Sequence, residues 1–412
     1  MIKQPLSTKV AIKVKVMIIA RSIPVFLLLF PFYASAVSFN EAIQNGAVKG
    51  SVKLFYYDLD LENLPESYAT SLGGHLQYTT GNWNELYAKV GFHTSNAIGS
   101  KQNEALTFLF NNDKEASSFT AVSESFLGYR RNQRVLKVGN FRLNTPMMND
   151  DTSRIVPWSY RGIAFTSTPR AGIRIQLNHI THTRSYTSDS YKKESASGTI
   201  EDGVTMFGLH YDVNQELSLF GFYYYAPKLF DTFVAQADYK YPVDEDLFFC
   251  LGAQYIKSGN GGEYAVTESL RGGDEIDLVA LRISTETENW DIGLNYSQNF
   301  GISGLLKGYG GSTKLFTTSM IASGRGNFKP ETWMLSTAYD FPVYEWGQSE
   351  VALHYTNTRV DDSRGNSFDA YYAHFRHYIN TNTSLYIRYE VMDYEKETLD
   401  GGYLRVIGNY DF

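Results

Sequence analysis

The chain has 412 residues, of which 43% are hydrophobic and 15% aromatic, and its formal net charge is −7. This excess of acidic residues argues against nucleic acid as a partner, because few basic side chains are left over to neutralise phosphates. Cys250 is the only cysteine, which excludes an intrachain disulfide.

Residues 1–36 have the pattern of a secretory signal peptide. Five basic residues and a short apolar run precede Ala34-Ser35-Ala36, which offers the small residues that a signal peptidase reads. The alternative, an uncleaved membrane anchor, needs roughly 20 apolar residues, and the run is shorter. Whether translation begins at Met1 or at Met17, the predicted mature chain is 37–412. Its net charge is −12, because five positive charges and no negative ones are removed.

From residue 48 onward the sequence predicts a succession of β-strands. Apolar and polar residues alternate in segments of about 9–13 residues, close to the length with which a tilted strand crosses a bilayer. In the first segment Val52 and Leu54 fall on one face, and Lys49 and Lys53 on the other. Eighteen segments are predicted, at 48–60, 70–81, 84–95, 119–131, 134–142, 159–168, 172–183, 203–213, 216–227, 231–242, 246–257, 275–287, 289–299, 332–341, 349–358, 368–379, 383–394 and 402–412.

The connections alternate between tight and long, as the inner turns and outer loops of a membrane barrel do. No helix is predicted, and no repeat of roughly 20–50 residues is found. A soluble β-sandwich also alternates, so this pattern alone leaves both classes open. The tight connections lie at 81–82, 132–133, 214–215, 244–245, 288–289, 342–347 and 381–382, and the long polar ones at 95–118, 183–202, 258–274, 298–330 and 357–366.

The C-terminus favours a membrane barrel. Leu404, Val406, Tyr410 and Phe412 share one face of a strand that ends on the last residue. A closed barrel has no free edge, so this strand is expected to pair with the first. Its final aromatic residue resembles the signal that the barrel-assembly machinery reads, which makes that machinery an expected partner. A soluble strand that merely ends in phenylalanine is the alternative.

The segment 136–162 carries a family resemblance. It contains, in order, a glycine followed by an arginine, Thr-Pro, an Asn/Asp-rich turn, a second arginine, and a proline before an aromatic-x-Gly. This run resembles the substrate-specific porins typified by OprD, and 311–320 and 331–341 are also similar to them. The resemblance extends thinly over 37–412. It implies an all-β transmembrane antiparallel barrel of eighteen strands, with an inward-folded third loop that narrows the pore.

The residues of this segment support the same interpretation. Pro146 and Pro157 bracket a stretch that cannot continue a strand ladder. Apolar Met147, Met148 and Trp158 stand beside charged residues, so the apolar ones are expected to grip the barrel wall while the charged ones face water. An outer loop with a surface ion pair is the alternative. The predicted constriction residues are Arg142, Asp150, Asp151, Arg154 and Arg161.

Strand parity predicts a basic wall inside the barrel. If apolar residues face lipid, six basic residues of the first strand and the last three strands point inward. A similar basic ladder in the OprD-like porins is thought to draw carboxylates through. Internal salt bridges, such as Arg388 with Glu390 or Asp411, are the alternative. The predicted wall consists of Lys49, Lys53, His374, Arg376, Arg388 and Arg405.

These patterns predict a passive channel for small hydrophilic solutes in the bacterial outer membrane, with a preference for anions or carboxylates. Basic groups along a pore raise the local anion concentration. No catalytic residue, cofactor or metal site is predicted, because no nucleophile is paired with a base in a known pattern. An outer-membrane hydrolase, and an adhesin or structural barrel that binds through its outer loops, are the alternative functions.

Overall fold

The computed structural model describes residues 37–195, 198–227, 229–259, 276–301, 303–304, 310–326, 328–396 and 400–412. The predicted signal peptide and most of the predicted loop 258–274 lie outside these residues.

Within the described parts of the chain, eighteen strands form one antiparallel sheet, which confirms the predicted fold class. Strand ends agree with the sequence-based bounds to within a few residues, except at β3. In chain order, β1 to β18 are Ala47–Leu61, Ser67–Thr79, Leu86–Gln102, Phe119–Arg131, Arg134–Phe141, Ser159–Arg170, Ile173–Arg184, Val204–Asp212, Leu217–Ala226, Phe230–Pro242, Phe248–Gly259, Ile276–Glu286, Trp290–Asn299, Glu331–Pro342, Gln348–Arg359, Phe368–Tyr378, Thr383–Tyr394 and Gly401–Asp411.

The sheet closes on itself. Strand β18 pairs with β1 in a register that runs from Asp411 opposite Ser51 to Gly401 opposite Leu61. The backbones of Phe412 and Gly50 exchange two hydrogen bonds of 2.9 Å beyond that ladder. Because every strand has two neighbours, the barrel presents no free edge.

The outer face of the barrel is apolar. Leu353 is 59% exposed and Leu281 is 48% exposed, while their sequence neighbours point into the lumen. A soluble sandwich would bury such residues between two sheets, whereas a membrane barrel presents them to lipid. The burial pattern therefore decides against the sandwich.

The two ends of the barrel differ. All the predicted tight connections join an even-numbered strand to the next odd-numbered one at the end that holds both termini, the turn end. The longer connections lie at the other end, the loop end. Four of these longer connections are named L2 (103–118), L3 (142–158), L4 (185–203) and L7 (300–330). L4 includes a short hairpin of Glu194–Ser195 and Gly198–Thr199.

Two local features were not predicted. A six-residue helix, Phe39–Gln44, begins at a capping box formed by Ser38 and Glu41. This helix is too short to show a helical periodicity in the sequence, although the Ser-x-x-Glu pattern of the capping box is present there. Strand β3 extends to Gln102 rather than 95, where it still pairs with β2; its last four residues, 99–102, lack the apolar alternation that marks a strand in the sequence. No helix in the described residues has the length and apolarity that crossing a membrane requires.

Candidate pore constriction

L3 folds into the barrel, as the sequence predicted. Met147 and Met148 are buried in an apolar cluster with Tyr224 on the inner wall. The Met147 amide donates to the Tyr224 hydroxyl oxygen (3.2 Å), and that hydroxyl donates to the Thr145 side chain (2.9 Å). The Tyr160 hydroxyl also donates to the Asn149 carbonyl (2.8 Å). The apolar residues therefore fix the loop to the wall.

L7 also enters the lumen, which the sequence did not predict. Segment 298–330 was expected to extend outward, but its described part 310–326 packs against L3. The Asn149 side chain donates to the Ser312 carbonyl at 2.5 Å and accepts from the Ser312 amide at 3.0 Å. The Lys314 ammonium donates to the Asn144 side chain. A polar loop becomes internal here because side chains of L3 and of the barrel wall satisfy its backbone.

A buried carboxylate holds the other side of L7. Glu390 on β17 accepts hydrogen bonds from the amides of Ile321 (2.5 Å) and Ala322 (3.4 Å) and from the Ser319 hydroxyl. The alternative of internal salt bridges holds for some residues, for example His374 with Glu350, but not for the pairs of Arg388 that were named as its example. Among the described residues no ion pair joins Arg388 to Glu390 or Asp411, because the Glu390 oxygens are occupied by L7.

The charged residues at the start of L3 form a small network. Arg142 lies 3.5 Å from Asp150 and 3.4 Å from Glu124 of β4. Lys89 of β3 also pairs with Glu124, at 2.9 Å. Burial raises the pKa of Asp150, and the nearby Arg142 partly opposes this. The Asp151 carboxylate accepts from the Ser153 amide at 3.2 Å and shapes the following turn.

Arg154 and Arg405 lie against one tyrosine ring. The Arg154 guanidinium is 4.8 Å from the centre of the Tyr57 ring, and the Arg405 guanidinium is 4.6 Å from it. Arg154 donates to the Thr107 carbonyl (3.1 Å), whereas Arg405 donates to the Tyr57 hydroxyl oxygen (3.1 Å). Cation–π contacts of this kind stabilise guanidinium groups that are partly withdrawn from water.

The predicted wall and the predicted constriction meet in one cavity. It has a volume of about 740 Å³, and its lining combines strands β1–β3 and β16–β18 with L3 and L7. The predicted residues that line it are Lys53, Arg142, Asp150, Asp151, Arg154, Arg376 and Arg388.

Two arginines of this wall share a ring. The Arg376 guanidinium lies 4.0 Å from the centre of the Tyr386 ring, and that of Arg388 lies 5.2 Å from it. Arg388 also donates to the hydroxyl oxygen of Tyr372, at 2.9 Å. Neither guanidinium has a carboxylate within 4 Å among the described residues. The two side chains are therefore held by aromatic groups and keep their charge available to the lumen.

The remaining predicted residues do not line this cavity. Arg405 points inward but is buried beneath Tyr57. His374 also points inward and is paired with Glu350 at 2.6 Å. Lys49 is exposed near the turn end.

The structure corrects the prediction that Arg161 belongs to the constriction. Arg161 shares the outward parity of Ile163, which is 47% exposed, and its guanidinium packs on Tyr191 of L4 at 4.8 Å. The segment returns to a regular strand at Ser159, so strand parity already governs Arg161 and sets its side chain outside the lumen.

Sequence reasoning missed Tyr57, which lies beside this cavity and contacts Arg154 of its lining, and it missed several residues of the lining itself. Tyr57 has inward parity on β1, so parity would have located it. His75 and His93 also line the cavity, with their rings stacked 5.2 Å apart. Lys314 lies in the segment that resembles the OprD-like porins, but no local signal shows that L7 turns inward. In the described residues, no group of three or more His, Cys, Asp or Glu side chains is placed to hold a metal ion.

A closed eighteen-stranded barrel with an apolar outer face, whose lumen two inward loops narrow, defines a transmembrane channel of the outer membrane. The family model of the outer membrane porins of the OprD family matches residues 78–389. The chain belongs to this family. It is therefore a porin in the lipid bilayer of the bacterial outer membrane and passes small solutes, as the sequence predicted. Its family and fold are those of non-enzymatic channels.

Solved structures share this fold. OccK8 (OprE) of Pseudomonas aeruginosa is 15% identical, with a TM-score of 0.76 over 90% of this chain and 99% of its own. OccAB3 of Acinetobacter baumannii is 14% identical, with a TM-score of 0.80 over 90% and 100%. A BenF-like porin of Pseudomonas fluorescens Pf-5 is 16% identical, with a TM-score of 0.80 over 90% and 99%. No curated protein matches the sequence.

Proposed function

We propose that this porin favours small anionic solutes, including carboxylates, and that no covalent step accompanies their passage. One observation carries the proposal: Lys53, Arg376 and Arg388 line the same cavity as L3, and Glu390, two residues from Arg388 in sequence, is engaged by L7. Unpaired positive groups along a narrow, water-filled path lower the energy of an anion there.

The two sides of the cavity have different roles in this proposal. On the wall, Arg376 and Arg388 offer planar guanidinium groups, which bind carboxylates with two parallel hydrogen bonds. On the loop side, Arg142 is balanced by Asp150 and Glu124, so it contributes less net charge. Asp150 and Asp151 supply an acidic edge that disfavours anions that stray from the wall.

A solved structure with the same fold supports a preference for carboxylates. OpdK of Pseudomonas aeruginosa, which is 16% identical with a TM-score of 0.76, has been solved with vanillate, a carboxylate. At the turn end, Phe412 and its strand are proposed to be the segment that the barrel-assembly machinery recognises. In this proposal Lys53, Arg376 and Arg388 form the basic wall, and the constriction residues are Arg142, Asp150, Asp151 and Arg154.

The test is the reversal potential of the purified protein in a planar bilayer under a salt gradient. We expect anion preference, and we expect Arg388→Glu to reduce it several-fold. Arg161→Glu makes the same charge change on the outer face, so it should leave the preference unchanged. Cation preference in the unmodified protein would overturn the proposal, as would equal effects of the two substitutions.

A further inference from the structure

A second cavity, of about 530 Å³, lies on the opposite side of the lumen. Its wall is formed by strands β7–β15, and none of these strands lines the first cavity. The two cavities have only Asn144 and Lys314 in common, and both residues belong to the inward loops. The junction of L3 and L7 therefore stands between two chambers with different walls.

This junction is fixed to the second wall as well as to L3. The Gln254 side chain of β11 donates to the Lys314 carbonyl at 2.9 Å and accepts from the Phe316 amide at 3.1 Å. Its amide nitrogen also donates to Gln236 at 2.6 Å. Because L7 is bonded to Gln254 on one side and to Glu390 on the other, the separation of the two chambers is built into the fold.

The chemistry of the second chamber differs from that of the first. Its lining includes the phenyl rings of Phe220, Phe222 and Phe316, together with amides and hydroxyls, of which Gln176, Asn295 and Ser336 are examples. It carries fewer charged groups, namely Arg174, Arg282, Lys314 and Asp291, and Arg282 pairs with Asp238 at 3.0 Å. The first chamber, by contrast, carries six lysine or arginine residues, two histidines and three aspartates in its lining.

Two buried nitrogen atoms of this lining have no hydrogen-bond partner among the residues that the structure describes. They are Nε of Arg282 and Nδ1 of His354. The Arg282 guanidinium also stacks on the Phe316 ring at 4.8 Å, which orients it along the chamber surface. Buried polar atoms are normally satisfied, so unmatched ones point to groups that a solute or water supplies.

We propose that this second chamber binds uncharged ring-shaped solutes that carry several hydroxyl groups, such as a pyranose sugar. Such a solute has apolar ring faces that pack on Phe220 and Phe316, and hydroxyls that both donate to and accept from the amides. It gains nothing from the basic wall, which favours anions. The volume lies within the range of about 300–1,000 Å³ that is typical of small-molecule sites.

The test compares glucose uptake and ion selectivity in proteoliposomes and planar bilayers. Ser336→Trp fills the second chamber, and Ser384→Trp makes the same change in the lining of the first. We expect Ser336→Trp to lower glucose uptake about tenfold and to leave the reversal potential unchanged. Ser384→Trp should reduce the anion current and leave glucose uptake intact.

A milder substitution serves as a control for misfolding of the tryptophan variants. Phe220→Leu keeps an apolar side chain at a partly buried position but removes the ring face. It should raise several-fold the glucose concentration that half-blocks the ion current, without a change in conductance. Unchanged glucose uptake in Ser336→Trp, or a parallel loss of glucose and anion transport in both tryptophan variants, would overturn the proposal. Cation preference of the unmodified protein would overturn only the anion proposal.

Discussion

The carboxylate of Glu390 accepts a 2.5 Å hydrogen bond from the backbone amide of Ile321. Glu390 is fully buried on a wall that also carries Arg388 and Arg405, yet within the described residues its carboxylate bonds to L7. Within the described residues, one acidic side chain therefore positions the second constricting loop instead of forming a close ion pair with a neighbouring arginine.

Removing this carboxylate should loosen L7. Hydrogen bonds to charged groups contribute about 1.5–3 kcal/mol each, and Glu390→Ala removes the acceptor for two buried amides. We expect larger fluctuations of the single-channel current and a higher mean conductance. Glu395→Ala, at an exposed position just beyond β17, is the control. If the current fluctuations of the Glu390→Ala channel equal those of the unmodified protein, L7 is held by its other contacts.

The ion preference should depend on pH through Asp150. Burial raises the pKa of Asp150, so its carboxyl group takes up a proton at a higher pH than the usual value of about 3.9. Protonation removes a negative charge that faces Arg142. Anion preference should therefore increase as the pH falls through that pKa, and bilayer reversal potentials measured between neutral and acid pH will report it.

Asp150→Asn separates this effect from other titrating groups. The variant should show high anion preference at every pH and lack the Asp150 component of the pH dependence. His75 and His93 line the same cavity, and any contribution from them persists in the variant. Identical pH profiles for the two proteins would exclude Asp150 as the titrating group.

The ring of Tyr57 should stabilise the inward position of L3. Tyr57→Leu removes two cation–π contacts, each worth roughly 0.5–2 kcal/mol, whereas Tyr57→Phe keeps the ring and removes only the hydrogen bond from Arg405. We expect the heat-induced unfolding temperature to fall in the order unmodified, Tyr57→Phe, Tyr57→Leu. Equal temperatures for the two variants would mean that the hydroxyl, and not the ring, matters.

The contact between Gly50 and Phe412 should govern assembly. A β-carbon on Gly50 would lie 2.3 Å from the Phe412 ring, so Gly50→Val displaces the terminal aromatic residue. We expect a several-fold lower yield of folded protein in the outer membrane, measured by heat-modifiable gel mobility. Gly221→Val is a matched control, because its β-carbon would meet no atom closer than 4.0 Å. Equal yields would contradict the proposed role of the terminus.

The alternation of side chains along each strand predicted which residues face the lumen, but it could not predict the path of a loop. It oriented Lys53, Arg376 and Arg388 correctly, because an apolar outer face fixes the side to which each residue points. Arg161 was named a constriction residue although it lies in the predicted strand 159–168, where parity turns its side chain outward. The path of L7 could not be predicted, since it depends on Glu390 and Gln254, which are distant in sequence and have no local signature of an anchor.

The seam between β1 and β18 has a consequence for biosynthesis. Ser51 and Asp411 pair although nearly the whole described chain lies between them, so this contact has about the greatest sequence separation that the fold allows. Such non-local pairing is slow, because much chain entropy is lost before the contact forms. A chain shortened by even its last strand would keep two unpaired edges and become prone to aggregation and degradation before it reaches the membrane.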